Sequence, residues 1–266
     1  MSDFSAQWLA LREPYDRAAR NGAVLGALAA AFAAASVVTV TDFGCGTGAT
    51  MRAISPHLPV RQSWRLVDND EHLLHAAGIA APAGASVTTV AADLACDLEQ
   101  AFGACDLVAT SALLDLVSGA WLERLVTSMV HLSRPLYAAL SYDGVVALTP
   151  ETRHDAEVID AVNRHQRTDK GFGPALGPDA AQIAPERFRR AGFTVLEGRS
   201  DWRFGADDRD IQIEMLAGWA SAAGDIGVDP SIVEEWLRHR RDHLEAGRAQ
   251  MRVGHVDFFA MPTGRR

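Results

Sequence analysis

Short hydrophobic runs alternate with segments of helical character along the first half of the chain. The run 37–41 is rich in β-branched residues, which is typical of a buried strand. The predicted strands cover 37–41, 63–67, 86–91, 106–110 and 135–141, and the predicted helices cover 22–35, 49–57, 70–77 and 119–132. Strands that alternate with helices predict βαβ units. We therefore expect an α/β fold with a doubly wound, mostly parallel sheet.

The alternation weakens after Tyr142. Residues 143–183 are typical of an insertion with one helix, and residues 199–250 of a second insertion with two amphipathic helices. The elements predicted here are helices at 155–165, 185–191, 207–224 and 230–249 and strands at 193–198 and 255–261, which bring the sheet to seven strands. We predict one domain. Its core covers 21–142, 184–198 and 254–262, and the two insertions form a lid.

The stretch 21–41 carries no charged residue and has the length of a membrane span. Its first part is rich in alanine, which favours a helix, and its second part is β-branched, which favours a strand. We therefore predict a helix, a turn and a strand here, and no contact of the protein with a membrane.

The 266 residues include 25 Lys and Arg against 34 Asp and Glu, a net charge of −9, and 48% of them are hydrophobic. These values are typical of a folded globular protein and exclude a disordered chain. The acidic balance argues against a nucleic-acid partner, because binding to phosphates requires a basic surface. Cys45, Cys96 and Cys105 lack the spacing of a metal site, and no secretory leader is evident. We therefore expect a cytoplasmic protein without a metal.

Three glycines follow the first predicted strand and open a helix. Gly44, Gly46 and Gly48 alternate with other residues, and Asp42 stands two positions before the first of them. Glycines at such a turn allow a ligand to approach backbone N–H groups closely. Acidic residues end the next two strands, at Asp68 with Asn69 beside it and at Asp93 with Leu94 beside it. A carboxylate in the position of Asp68 can accept hydrogen bonds from both ribose hydroxyls.

This set of residues, together with the run 105–111, resembles the class I S-adenosylmethionine-dependent methyltransferases over roughly residues 37–141. The resemblance implies S-adenosylmethionine as the cofactor, in contact with the glycine-rich turn. It places the methionine part near Gly44, Gly46 and Gly48, its amino group near Asp42, the ribose at Asp68 and Asn69, the adenine at Asp93 and Leu94, and Thr110 and Ser111 near the methionine end and the substrate mouth. It also implies that the last two strands, 193–198 and 255–261, form a hairpin with an antiparallel strand inside the sheet. Here about 50 residues separate those strands.

In small-molecule methyltransferases of this type the segment before the first strand often lies over the cofactor. By that resemblance, Tyr15 and Arg20 are expected to meet the methionine carboxylate, which suits the bidentate hydrogen bonding of a guanidinium. The alternative for the segment is a solvated amphipathic helix.

Candidate acceptor-side residues lie at the end of the fourth strand and in the first insertion. Asp115 is a candidate proton acceptor, although an aspartate also favours early helix positions. His165 is a candidate general base, since imidazole titrates near neutrality, and Tyr142, just after the fifth strand, is a third catalytic candidate. Arg164, Arg167 and Lys170 form a basic cluster beside Phe172, which lies between two glycines. The cluster favours an anionic substrate under a mobile lid, and the alternative is a helix end capped by glycine.

Together these features predict in-line methyl transfer from S-adenosylmethionine to a small-molecule acceptor, in a chamber formed by both insertions. Three alternatives stay open. They are a cofactor-binding regulatory protein without catalysis, a nicotinamide-dependent oxidoreductase and a protein or RNA methyltransferase. The glycine spacing disfavours the oxidoreductase, and the acidic charge disfavours RNA. The sequence leaves open whether the chain forms a homodimer.

Overall fold

A computed structural model describes residues 5–264. The helices are α1 (Ala6–Ala19), α2 (Gly22–Phe32), α3 (Ala49–Ile54), α4 (Glu71–Ile79), α5 (Leu94–Ala101), α6 (Gly119–Leu132), α7 (Asp155–His165), α8 (Ala180–Arg190), α9 (Arg209–Asp225) and α10 (Pro230–Glu245). The strands are β1 (Val38–Phe43), β2 (Gln62–Asp68), β3 (Ala85–Ala91), β4 (Leu107–Ser111), β5 (Leu136–Thr149), β6 (Phe193–Arg199), β7 (Trp202–Phe204) and β8 (Gln250–Pro262).

The strands form one sheet in the order β3-β2-β1-β4-β5-β8-β6, with β7 paired to β8. The first five strands are parallel, whereas β8 runs antiparallel to both of its neighbours, β5 and β6. The predicted α/β class with a mostly parallel sheet is thus confirmed, including the antiparallel strand inside the sheet. The chain order reverses between β1 and β4, and ligands of open α/β sheets bind beside the carboxyl ends of strands at such a point.

The second half differs from the prediction in its boundaries. Strand β5 does not end at Ser141 but continues to Thr149, because residues 146–149 pair with the early part of β8. The segment 143–149 is therefore strand and not insertion, and Tyr142 lies within β5 and not after it. Helix α5, with eight residues, and strand β7, with three, were not predicted, because both are short.

Three hydrophobic cores stabilise the fold. The first lies between the sheet and α5, α6 and α8, and the second lies on the other face, under α2, α3 and α4. The third joins α7, α9 and α10 to the extended ends of β5 and β8, with side chains of α1 at its border. Trp202, Phe204, Trp219 and Trp236 are buried in this third core. The C-terminal helices therefore form a packed lobe on one end of the sheet.

The stretch 21–41 divides into α2 and β1, as its composition predicted. Within residues 5–264 no helix combines the length and the apolar character needed to cross a bilayer. The same residues contain no group of three or more His, Cys, Asp and Glu side chains arranged to hold a metal ion.

Candidate functional site

The turn after β1 brings backbone N–H groups to the carboxyl edge of the sheet. Gly44, Gly46 and Gly48 have φ angles of +63°, +52° and +83°, which side chains with a Cβ rarely adopt. A Cβ on Gly46 would lie 3.2 Å from Leu9 Cδ1 of α1. The glycines thus permit both the turn and the close approach of α1.

Asp68 at the end of β2 supports this turn. One oxygen of its carboxylate accepts the backbone N–H of Gly46 at 2.8 Å, and the other accepts the N–H of Asp70 at 3.1 Å. Because both are backbone donors from different segments, the carboxylate is fixed in orientation before any ligand binds.

A pocket of about 500 Å³ opens beside this turn. This volume is sufficient for a nucleoside-sized ligand. Ten of the predicted site residues line it: Arg20, Gly44, Gly46, Asp68, Asn69, Asp93, Leu94, Ser111, Lys170 and Phe172. Residues from β1, β2, β3, β4 and the first insertion, distant in sequence, are therefore gathered around one cavity.

Arg20 forms the buried polar end of the pocket. One nitrogen of its guanidinium donates to the hydroxyl of Tyr137 and another to Ser111 Oγ, both at 3.0 Å. Thr50 Oγ1 also donates to Ser111 Oγ at 3.0 Å. The side chain is 7% exposed, and its buried Nε has no hydrogen-bond partner. A buried cation with unused donor capacity fits an anionic group of a ligand.

Asp42 lies behind the glycine turn, within β1, and does not line the pocket. It is fully buried, and neither carboxylate oxygen has a hydrogen-bond partner. Burial raises its pKa to about 8, although the positive charge of Arg20 opposes this shift. An unpaired buried carboxyl group of this kind is costly without a ligand.

Two residues expected in direct contact with the cofactor lie elsewhere. Thr110 is buried in β4, and its hydroxyl donates to the carbonyl of Phe43 at 2.9 Å, so it stabilises the sheet. Gly48 does not line the pocket but caps the start of α3. Asp93 lines the pocket and also caps α5, since it accepts the N–H of Ala95 at 2.9 Å.

Tyr15 also lies away from the pocket, contrary to expectation. Its hydroxyl donates to Asp208 at 2.7 Å, and its ring packs edge-on against Phe204, so it faces the C-terminal lobe. Burial and the hydrogen bond to Asp208 raise its pKa to about 12. The pocket is lined instead by Leu9, Arg12 and Asp16 of α1.

These three residues were missed, although the sequence carries a signal for them. Leu9, Arg12, Asp16 and Arg20 are spaced by three, four and four positions, so they share one helical face. Tyr15 is next to this stripe but points to another side. Counting helical spacing back from Arg20 would have found the face that covers the pocket.

Helix α1 is attached to both neighbouring parts of the molecule. Glu13 accepts two hydrogen bonds from Arg52 of α3, at 2.7 and 2.6 Å, and this pair lowers the pKa of Glu13. On the other side Asp16 accepts two from Arg12, at 3.0 and 3.3 Å, and one from the indole N–H of Trp202. Helix α1 thus connects α3, next to the glycine-rich turn, to β7 of the C-terminal lobe.

The basic cluster of the first insertion does not form as predicted. Arg164 pairs with Asp160 and Arg167 with Asp179, and both arginines are exposed outside the pocket. Arg164 lies in the last turn of α7, on its exposed side, and Arg167 follows the helix end at His165. The same segment then carries Lys170 and Phe172 to the pocket. Phe172 packs edge-on against Trp121, with ring centroids 5.6 Å apart.

The three predicted catalytic residues lie outside the pocket lining. Asp115 is buried, its Oδ1 has no partner, and burial raises its pKa to about 6. Tyr142 is buried in β5, where its hydroxyl donates to Asn163 at 2.8 Å and burial raises its pKa. His165 lies one residue layer behind the pocket, with Nδ1 3.3 Å from Lys170 Nζ.

The second insertion supplies none of the described residues that line the pocket. The prediction that residues 199–250 form a wall of the chamber is therefore wrong. Their side chains fill much of the third hydrophobic core, and they reach the pocket indirectly, through contacts with α1 and through Asp225, which lies beside His165.

Comparison with known proteins agrees with this geometry. Residues 40–136 match the family model of a methyltransferase domain. No curated protein shows significant similarity to the chain.

Three solved structures have a similar fold. A putative methyltransferase from Bacillus halodurans C-125 is 15% identical, with 91% of this chain and 100% of that chain covered and a TM-score of 0.50. A cyclopropane-fatty-acyl-phospholipid synthase-like protein from Lactobacillus casei is 13% identical, with 97% and 94% covered and a TM-score of 0.55. The cyclopropane synthase MmaA2 from Mycobacterium tuberculosis is 14% identical, with 97% and 94% covered and a TM-score of 0.52.

The matched domain includes the glycine-rich turn, Asp68 and Asp93, and its strands have the order and directions of the methyltransferase sheet. Residues 40–136 are thus similar to a methyltransferase domain, and the chain as a whole shares its fold with these three solved structures.

Proposed function

We propose that this protein transfers the methyl group of S-adenosylmethionine to a small-molecule acceptor that reacts as an anion. The observation that carries the proposal is the pocket itself, where fixed carboxylates, a buried guanidinium and a lysine surround one cavity. When bound, the cofactor supplies a methyl group already activated by its sulfonium. The protein has to bind both molecules, orient them and exclude water.

The buried groups fit the cofactor. Arg20 Nε and both oxygens of Asp42 are buried without hydrogen-bond partners. The Arg20 guanidinium complements a methionine carboxylate, and the positive charge of the methionine ammonium near Asp42 would favour its ionised form. Asp68 is already oriented by two backbone donors and suits the ribose hydroxyls. Asp93 and Leu94 provide a polar and an apolar contact for the adenine. Asn69 lines the pocket beside them.

The acceptor side is defined by α1 and the loop 169–174. Arg12 lines this side but is paired with Asp16, so its charge is compensated. The second cation on this side is Lys170, which the loop 169–174 presents to the pocket. An acceptor that becomes anionic as it reacts would be stabilised by this ammonium group, and an in-line approach requires the acceptor atom to face the methyl group.

Binding and turnover test the proposal separately. Isothermal titration with S-adenosylhomocysteine should show one site per chain. Methyl transfer from S-adenosylmethionine labelled in its methyl group should occur to members of a panel of phenols, thiols, carboxylic acids and amines. The absence of any cofactor binding would contradict the proposal. Binding without transfer to any member of a broad panel, and an intact cofactor after long incubation, would favour a regulatory protein instead.

A further inference from the structure

Lys170 is unusual in this protein because it is its single lysine. The chain contains 24 arginines and a single lysine, and that lysine lines the cofactor pocket. Arginine remains protonated in proteins, whereas a lysine amine can lose its proton when it is partly buried. Lysine is the one of these two side chains that can act as a base, and the single lysine of the chain lines the pocket.

The surroundings of the amine orient it. Lys170 Nζ lies 3.3 Å from His165 Nδ1, and His165 Nε2 lies 3.5 Å from Asp225 Oδ2 at the end of α9. A carboxylate beside Nε2 favours the tautomer in which Nε2 carries the hydrogen, which leaves the lone pair of Nδ1 facing the amine. Asp225, His165 and Lys170 therefore form a chain that ends in the pocket.

The loop that carries Lys170 is well defined by hydrogen bonds. Asp169 Oδ1 accepts the backbone N–H groups of Gly171 at 2.7 Å and Gly173 at 3.0 Å. Both glycines have positive φ angles, which the tight turn requires. The packing of Phe172 on Trp121 fixes the far side of the same loop. The amine is therefore held in place with little loss of freedom on substrate binding.

We propose that Lys170 is the catalytic base of the methyl transfer and that His165 and Asp225 are positioning residues that orient its amine, an inference that rests on the proposed function. The acceptor gives its proton to the lone pair of Lys170 Nζ, and the electron pair of the broken bond stays on the acceptor atom. That atom bonds to the methyl carbon, whose former bonding pair remains on sulfur. The Lys170 ammonium then donates to His165 Nδ1 and returns its proton to solvent. The products are the methylated acceptor and S-adenosylhomocysteine.

The local charges are consistent with an amine that deprotonates readily. Burial lowers the pKa of Lys170, and Asp225 opposes this shift. Burial and the positive charge of Lys170 lower the pKa of His165, and Asp225 opposes this shift. Across the pocket, α1 presents Arg12 and Asp16, which form an ion pair with each other. Asp169 uses its carboxylate within the loop.

A protein with one lysine allows a direct measurement. Growth on ¹³C-labelled lysine labels one residue, so the Cε signal of Lys170 needs no assignment. We expect its titration midpoint, measured on the full chain saturated with S-adenosylmethionine, to lie clearly below the 10.4 of a free lysine. We also expect a lower midpoint with S-adenosylmethionine than with S-adenosylhomocysteine, because only the former carries a sulfonium charge. A midpoint of about 10.4 or above in the S-adenosylmethionine complex would overturn the assignment.

Matched variants separate a base from a cationic anchor. Asp225→Asn should lower the midpoint further, because a carboxylate that stabilises the ammonium is lost, whereas Asp160→Asn on the exposed side of α7 should leave it unchanged. An unchanged midpoint in Asp225→Asn would refute the positioning role. Lys170→Arg keeps the charge but cannot accept a proton. We expect it to lose about 100-fold or more in kcat on the panel of acceptors while its affinity for S-adenosylhomocysteine is retained.

Titration calorimetry with S-adenosylhomocysteine on the same samples distinguishes a failure of the proposed methyl-transfer function from a failure of the assignment of Lys170 as base. If the proposed function is wrong, S-adenosylhomocysteine will not bind, while the titration midpoint of Lys170 can still be measured on the unliganded chain. Full activity of Lys170→Arg would refute the base while leaving the methyltransferase intact.

Discussion

The indole N–H of Trp202 donates a hydrogen bond of 3.0 Å to Asp16, which lines the cofactor pocket from α1. Trp202 belongs to β7, in the C-terminal lobe, and its ring also lies under the guanidinium of Arg12 at 4.9 Å. One tryptophan from a distant segment thus orients both polar side chains that α1 presents to the acceptor side. The lobe acts on the pocket through this helix and not by forming its wall.

Replacing Trp202 by Phe should loosen α1. The ring volume is largely kept, but Asp16 loses one buried donor, so we expect a loss of about 1–2 kcal/mol in the free energy of unfolding. Hydrogen exchange of α1 should increase as well. Trp236→Phe is the matched control, because its indole also donates to a partly buried aspartate, Asp155, which does not belong to α1. Equal exchange of α1 in both variants would contradict the role assigned to Trp202.

Gly46→Ala should abolish cofactor binding. Its φ of +52° is unfavourable for alanine, and the new Cβ would lie 3.2 Å from Leu9. Gly26→Ala in α2 is the control, since nothing lies within 4 Å of a Cβ there, and alanine should stabilise the helix by up to about 1 kcal/mol. Calorimetric affinity for S-adenosylhomocysteine and thermal unfolding distinguish the two substitutions.

Asp68→Asn should weaken cofactor binding while the protein stays folded. The amide oxygen can still accept the N–H of Gly46, but the second oxygen and the negative charge are lost. A hydrogen bond to a charged group contributes about 1.5–3 kcal/mol, so we expect Kd for S-adenosylhomocysteine to rise roughly 10- to 150-fold. An affinity within a factor of two of the wild type would show that Asp68 only supports the turn.

Glu13→Gln should speed the release of the cofactor. The bidentate contact of Glu13 with Arg52 connects α1 to α3 across the pocket, and both side chains are mostly buried. Stopped-flow measurement of S-adenosylhomocysteine dissociation should show a rate several-fold higher. Arg17→Gln removes the other, exposed partner of Glu13, at 3.4 Å, and should leave the rate unchanged because exposed ion pairs contribute little.

Asp42 should make the stability of the unliganded protein depend on pH. Its pKa is raised from 3.8 to about 8 in the folded state, so between these values the folded protein binds more protons than the unfolded chain. Its contribution to stability is therefore complete below about pH 4, declines as pH rises, and is lost above about pH 8. Asp42→Asn should remove this decline, with an advantage over the wild type of roughly 2–4 kcal/mol at pH 8 and a smaller one at pH 5. Chemical denaturation at both values measures the difference. Parallel pH dependences of the two proteins would contradict it.

The α/β class and the glycine-rich turn follow from local features of the sequence. The β-branched runs and the glycine spacing are local features, and local backbone preference fixes what they form. The carboxylates at the ends of successive parallel strands were predictable for the same reason, because all such ends meet at one edge of the sheet.

The arrangement of side chains on the acceptor side follows from the fold. Tyr15 and Arg20 were equally suitable by residue type, but helical phase turns Arg20 to the pocket and Tyr15 to Asp208. The three cations of the first insertion looked equivalent, yet two form surface ion pairs and only Lys170 lines the cavity. Side-chain direction depends on which elements pack together, and residues 199–250 reach this site only indirectly, through α1 and through the contact of Asp225 with His165. A sequence does not state such long-range packing, so these assignments required the fold.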